Sequence, residues 1–98
     1  MIVELQPGVY NDVTTLASAT DTDLLSIEYL NGNYKKESVL LFLESSAPTD
    51  NENAVALLVC DQESIKSVRT IQGVAGSKVY AFFSGNGMGL DPIKVLVG

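Results

Sequence analysis

The segment "VLLFLESSAPTDNENAVALLVC", residues 39–60, decides the predicted fold of this chain. An apolar run from Val39 to Leu43 and another from Ala54 to Cys60 flank a polar stretch with Ser, Asp and Asn residues and one proline. Pro48 fixes its own φ angle, and Asp and Asn side chains bond to their own backbone, so the stretch predicts a surface loop. Short apolar runs bounded by such loops are typical of buried β-strands.

The two runs predict different degrees of burial. Val39 to Glu44 is apolar on both faces of an extended chain, which predicts a strand that is covered on both sides. In Ala54 to Cys60 the residues Val55, Leu57 and Val59 are in phase, and we expect the strand to re-enter the core with this set.

Similar pieces recur along the chain, and each ends near Gly, Pro, Asn or Asp. The further predicted strands are Ile2 to Leu5, Val9 to Leu16, Asp23 to Leu30, Ser67 to Ile71, Ser77 to Ser84 and Ile93 to Val97. No amphipathic helix is long enough to connect parallel strands. The sequence therefore predicts an all-β fold, a small antiparallel β-sandwich or barrel of about seven or eight strands, with residues 1–98 as a single β-domain.

Several details follow from alternation and turn chemistry. Asp23 to Leu30 places Leu25, Ile27 and Tyr29 on the buried face. In Ser77 to Ser84, Val79, Ala81 and Phe83 lie on one face of the strand, and Tyr80 and Phe82 lie on the other. Asn31-Gly32 predicts a hairpin after the first of these strands, because this pair tolerates positive φ at both central positions.

Residues 61–73 leave two alternatives open. Ile65, Val68 and Ile71 recur at a spacing of three, which fits a short helix. Ser, Thr, Val and Ile are weak helix formers and the neighbouring pieces are β, so a strand near Ser67 to Ile71 is favoured.

Charge and hydropathy exclude several kinds of partner. The net charge of −6 and the pI near 4.3 oppose binding to a phosphate backbone, so no nucleic acid and no anionic membrane surface are expected as partners. The longest apolar run has seven residues, against the eighteen or so of a membrane span, and the N-terminal segment "MIVELQPG" lacks a signal-peptide pattern. Cys60 is expected to be a free thiol buried as a small hydrophobe.

The sequence offers no recognisable catalytic or metal centre. It contains no histidine, which removes the usual general base and His-based metal sites. The glycines of "SGNGMGL" at 84–90 lack a following helix and predict a hairpin loop, and the acids of "TDTD" at 20–23 and "TDNEN" at 49–53 predict solvated turns. The tyrosines, Tyr10, Tyr29, Tyr34 and Tyr80, fit core or rim packing better than a sugar platform. No enzyme activity and no cofactor are expected.

The order of the pieces resembles a known group of proteins. A terminal "LQPGVYNDVTTL" is followed by "YLNGN", "VLLFLESSAPTD", "GSKVYAFFSGNG" and a closing "IKVLVG". In this order the chain resembles the short all-β proteins that tailed bacteriophages carry on their virions, especially capsid decoration or cement proteins. The resemblance implies a non-enzymatic virion protein made in the host cytoplasm. It would bind the major capsid protein at the capsid surface and bridge neighbouring subunits, often as a homotrimer.

A protein of this kind would use apolar residues outside its core for contact. The candidate interface residues are Ile2, Val3, Leu5, Met88 and Leu90. The segment Ile2 to Leu5 also has a simpler interpretation as the first strand of a sheet. Two alternatives remain from the sequence, a phage tail or baseplate component and a carbohydrate-binding β-sandwich module.

Overall fold

The computed structural model describes residues 1–15, 24–30, 37–60, 68–85 and 92–98, with only the backbone of Thr15 and Cys60. These residues form eight strands and no helix. The strands are β1 (Ile2–Leu5), β2 (Asn11–Thr15), β3 (Leu24–Leu30), β4 (Glu37–Glu44), β5 (Ala56–Cys60), β6 (Val68–Gln72), β7 (Lys78–Phe82) and β8 (Ile93–Val97). The predicted all-β fold with about eight strands is confirmed.

The strands build two four-stranded sheets. Sheet I has the order β1-β8-β3-β6 and sheet II the order β2-β7-β4-β5, and every pairing between described strands is antiparallel. Strand β1 pairs with β8, β2 with β7, β3 with β6 and β4 with β5, and these pairs alternate between sheet I and sheet II. This is the strand order of a jelly roll, in which a long antiparallel ribbon is rolled into two packed sheets.

The core lies between the inner faces of the two sheets. Leu25, Ile27 and Tyr29 of β3 are buried there, as alternation in this strand predicted. Strand β7 contributes Val79 and Ala81 to the same core. Phe83, which follows the strand and was predicted to share a face with these two residues, is buried there too. Period-2 patterning therefore gave the correct inner face wherever apolar and polar residues alternate clearly.

The corner between β1 and β2 is built by a turn and one side chain. Gly8 has a φ of +76°, a left-handed value that glycine adopts without strain, and its amide donates a 2.8 Å hydrogen bond to the Phe83 carbonyl. The Asn11 Nδ2 group donates to the carbonyls of Gln6, Val9 and Ala81, at 3.0, 3.1 and 2.9 Å. Asn11 Oδ1 in turn accepts a 2.8 Å bond from the Gln6 amide. One side chain therefore joins the corner to sheet II.

Two predicted hairpins are wrong. The strand before Asn31-Gly32, β3, pairs with β6 and β8 in sheet I, whereas β4 pairs with β5 and β7 in sheet II. Likewise β7 and β8 belong to different sheets, so the segment with "SGNGMGL" does not join a hairpin. Residues such as Asn and Gly indicate that the chain changes direction, and they suit a connection between two sheets as well as a hairpin. They therefore do not show which strands pair. Residues 31–36 and 86–91 themselves lie outside the described residues.

The predicted inner face of β5 is also wrong. Leu58 is 1% exposed and faces the core, while Leu57 is 41% exposed. The reason is the register with β4, which sets Leu58 opposite the buried Val39 and Leu57 opposite Leu40. Because this strand is apolar at every position, its sequence fits both phases equally, and only pairing with β4 chooses between them.

Strand assignment within the ambiguous region is settled for its second half. Residues 68–72 form β6, which confirms the strand favoured there. Ile71 is buried and Val68 is exposed, as expected for residues three apart in an extended chain. The alternative of a short helix in residues 61–73 is therefore wrong for residues 68–72, and residues 61–67 lie outside the described residues. Strand β2 begins at Asn11 and not at the predicted Val9, and it carries a bulge between Asp12 and Thr14, while the predicted last residue, Leu16, lies outside the described residues.

Candidate interaction face

The outer face of sheet II carries a continuous row of apolar side chains. Leu40 lies at its middle, opposite Phe82 of β7 on one side and Leu57 of β5 on the other. The ring of Tyr10 extends the row beyond Phe82, with the two centroids 4.7 Å apart in a stacked arrangement. Neighbouring strands lie about 4.8 Å apart, so side chains in such a row contact one another. This row of the outer face is therefore apolar from β5 to the residue that precedes β2.

A second row of this face is already covered. Phe42 and Tyr80 are cross-strand partners on the outer face, yet they are 0% and 5% exposed. Tyr10 contacts the Phe42 ring edge-to-face at a centroid distance of 5.5 Å. The Tyr10 hydroxyl donates a 2.8 Å hydrogen bond to Oδ1 of Asn51, in the loop that joins β4 to β5. The ring and the loop bound to it form a small aromatic layer over the β2 side of the sheet.

The β5 side of the same face is open. Val55, Leu57 and Val59 are 55%, 41% and 46% exposed, and we call these three residues the apolar stripe. They project from the edge strand of sheet II and its preceding residue, on the face that Leu40 occupies. Contiguous exposed apolar residues on a folded domain usually mark an interaction site.

Acidic residues lie at one end of this face. We call Asp12, Glu44, Asp50 and Glu52 the acidic margin. Asp12, Asp50 and Glu52 are exposed, and Oε2 of Glu44 is buried with no hydrogen-bond donor among the described residues. Among the described residues of this face the base is Lys78, and its Nζ lies 3.4 Å from Oδ2 of Asp12, so these two side chains are already paired. The margin carries a net negative charge.

The interface residues predicted from the sequence fall in different places. Ile2 is 64% exposed on the outer face of sheet I, beside Leu96. Val3 is partly buried against the core. Leu5 is fully buried within the core, so the prediction that it lies outside the core and contacts a partner is wrong. Met88 and Leu90 lie outside the described residues.

Other candidate sites of the sequence have these positions. Tyr29 lies in the core and Tyr80 is buried under the aromatic layer, while Tyr34 and the acids at 20–23 lie outside the described residues. The Asp50 carboxylate accepts a 3.0 Å bond from the Glu52 amide, as a turn acid does. In the described ranges, no three His, Cys, Asp or Glu side chains are grouped to hold a metal ion. Those ranges also contain no helix that is long and apolar enough to cross a membrane. The expectation for the Cys60 thiol concerns a side chain that is not described.

The apolar stripe was in the sequence but was assigned to the core. The signal that could have identified it is the pairing of β5 with β4, in which Val39 and Leu41 are buried and select Leu58 and Ala56 as their inner neighbours. That signal is tertiary, because both phases of β5 are apolar.

Comparison with protein-family models, with curated proteins and with solved structures found no match to this chain. The jelly-roll strand order and the open apolar face are therefore the findings on which a function can be argued.

Proposed function

We propose that this chain is a non-enzymatic structural protein that binds a repetitive protein shell, in the manner of a capsid decoration protein of a tailed bacteriophage. The observation that carries the proposal is the open apolar face of sheet II. The core between the sheets is complete without this face, since Val39, Leu41 and Leu58 fill it from the inner side. Apolar residues that the fold does not use internally are available to a partner.

The architecture supports a binding role. The apolar stripe lies on a strand of a packed sheet, so its side chains are held in place and lose little conformational freedom on binding. Jelly rolls occur among viral capsid proteins and lectins, which makes a virion protein compatible with the strand order by analogy of fold. Fold analogy alone does not define a function, and the argument depends on the exposed face.

Many copies on a lattice would supply affinity that one contact lacks. A face of this size makes a modest interface, but repeated or linked copies rebind at a high effective concentration. The proposed partner is a major capsid protein, and assembly as a trimer would present three such faces to neighbouring subunits. The protein would reach the capsid surface from the host cytoplasm.

Co-sedimentation tests the proposal. Purified protein is mixed with capsid shells of the source virus that lack it, and bound protein is measured by centrifugation through a sucrose cushion. We expect saturable binding at a fixed number of copies per shell. The control is an unrelated acidic β-protein of similar mass, which should stay in the supernatant. Absence of binding at micromolar protein to both immature and expanded shells contradicts the proposal.

Carbohydrate binding is the second candidate, because Tyr10 and Phe82 place two half-buried rings on the same face. Aromatic rings can stack on sugars, although here the Tyr10 ring packs on protein and its hydroxyl is bonded to Asn51. A glycan array tests this candidate. Specific binding to a glycan would favour a carbohydrate-binding module or a sugar-binding tail component over a shell-binding protein.

A further inference from the structure

The outer faces of the two sheets differ in how their apolar residues are arranged. On sheet I, one cross-strand row runs through Ile2, Leu96, Glu28 and Val68, so a carboxylate interrupts the apolar residues. The next row begins with Glu4 opposite Lys94, a pair of opposite charges. This face therefore has scattered exposed apolar residues, which are normal on a soluble domain.

On sheet II the central row is not interrupted. Leu57, Leu40 and Phe82 follow one another across three strands with no polar residue between them. Val55 and Val59 lie on either side of Leu57 along the chain, Val59 being opposite the polar Ser38. The exposed apolar residues of this face are thus next to one another, which is the pattern of an interface.

The edge position of β5 strengthens this difference. Edge strands usually carry lysine, proline or a bulge that prevents pairing with other chains. Strand β5, "ALLVC", has none of these, and its pairing with β4 runs from Leu41–Ala56 to Glu37–Cys60 without a register shift. An edge strand that is apolar and regular, and that no described strand pairs with on its outer side, favours coverage by a partner.

The charges around the face select the partner. The acidic margin lies at one end of the apolar row, and Lys78 is already paired with Asp12. The other described bases, Arg69 and Lys94, belong to strands of sheet I. A second copy of this chain would bring its own negative charge against this one, each chain carrying a net charge of −6. Lysine or arginine beside an apolar recess would complement the margin.

We propose that the outer face of sheet II, centred on the apolar stripe, docks into an apolar recess of a partner protein whose border carries lysine or arginine. The apolar residues supply most of the affinity and the acidic margin sets orientation and association rate. The identification of that partner as a shell protein rests on the proposed function, whereas the location of the face and the basic border do not.

Two variants with matched surface chemistry test the location. The first is Val55→Thr/Leu57→Gln/Val59→Thr, which removes the apolar stripe and keeps the charge. The control is Ile2→Thr/Leu24→Gln/Val68→Thr, which exchanges three exposed apolar residues of sheet I for the same polar residues and also keeps the charge. In the shell assay we expect the stripe variant to lose about tenfold or more in affinity, and the control to bind within about twofold of the wild type. The reverse result overturns the location while the proposed function stands.

A partner-independent arm uses a synthetic strand peptide of alternating Val and Thr with two Lys residues at each end. Its binding is followed by shifts of the backbone amide NMR signals of the full chain. We expect shifts at residues 55–59, and a matched peptide with terminal Glu residues should bind about tenfold more weakly. Shifts centred on sheet I, equal binding of the two peptides, or no binding of either at millimolar concentration overturn the inference, even if the protein does bind shells.

Sedimentation velocity tests whether a second copy of this chain, and not a different protein, covers the face. The wild type and the stripe variant are compared over about a hundredfold range of protein concentration. We expect the same degree of self-association for both proteins at each concentration. If the wild type self-associates and the stripe variant does not, this face is an interface between copies of the chain, and the inference is wrong.

Discussion

The Tyr10 hydroxyl donates a 2.8 Å hydrogen bond to Oδ1 of Asn51, joining the segment before β2 to the loop between β4 and β5. The same tyrosine ring stacks on Phe82 and meets Phe42 edge-to-face. A two-sheet fold has no third layer to cover its outer faces, so aromatic rings there must be covered by side chains and loops. Tyr10 supplies that cover on the β2 side and leaves the β5 side open.

Removing the Tyr10 ring is expected to destabilise the protein more than removing its hydroxyl. Tyr10→Ala loses the contacts with two aromatic rings and should lower the free energy of unfolding by roughly 2 kcal/mol, because the ring is half-buried. Tyr10→Phe keeps those contacts and should cost less than about 1 kcal/mol, since the lost hydrogen bond is exposed to water. Urea unfolding followed by circular dichroism measures both values.

Asn51→Ala is the control for this pair, because it removes the same hydrogen bond from the other side. It should match Tyr10→Phe, and the double variant should cost little more than either alone. Full additivity of the two would show that the hydroxyl and the amide do not interact in solution.

Adjacent leucines of β5 are expected to respond in opposite ways. Leu58→Ala opens a cavity in the core and should lower the free energy of unfolding by about 3 kcal/mol. Leu57→Ala changes an exposed position and should cost under about 1 kcal/mol. Chemical denaturation of the two variants at one temperature makes the comparison, and each variant is the control for the other. A larger loss for Leu57→Ala would mean that β5 has the opposite register.

Asn11 is expected to be a stabilising residue of the β1–β2 corner. Asn11→Ala removes an acceptor for the Gln6 amide and the donor to three carbonyls, and should cost about 1–3 kcal/mol. Asn11→Asp keeps the acceptor but turns a carboxylate oxygen towards those carbonyls, so it should be at least as destabilising.

Hydrogen exchange of the Gln6 amide separates the two Asn11 variants. Its protection should fall in Asn11→Ala and persist better in Asn11→Asp, because only the aspartate retains an oxygen for this N–H group. Equal loss of protection in both variants would indicate that the whole corner opens when the side-chain amide is removed.

Gly8 is expected to resist substitution for reasons of backbone conformation alone. A Cβ atom at Gly8 would meet nothing within 4 Å, so Gly8→Ala should cost about 1–2 kcal/mol solely because its φ is +76°. Gly8→Asn should cost less, since asparagine tolerates this region better. Gly98→Ala is the matched control, because Gly98 is equally open and has no positive φ. Thermal unfolding of the three variants gives the order, and an equal loss at both glycines would exclude backbone strain as the cause.

The sequence predicted the strands better than their neighbours in space. Strands β1 and β8 have the predicted bounds, because Pro and Gly delimit them clearly. The inner face of β3 was also correct, since the apolar Leu25, Ile27 and Tyr29 alternate with the polar Ser26 and Glu28. These features are local, and local chemistry determines them.

The candidate face could not be predicted in the same way. Val55 and Leu58 have similar hydropathy, and no property of "AVALLVC" states which of them meets the core. The choice is made by Val39 and Leu41, which are distant in sequence and pair with the inner residues of β5. The apolar stripe is thus a consequence of register, whereas acidic loop residues such as Asp50 were recognised as exposed from composition alone.

The position of β8 has a consequence for biosynthesis. Strand β8 lies between β1 and β3 in sheet I, so β1 has no neighbour among the described strands until β8 has been synthesised. The pairing of Ile2 with Leu96 joins residues far apart in sequence, and contacts of this kind form slowly during folding. The apolar side of β1 is therefore exposed for longer than that of a strand with a neighbour close in sequence.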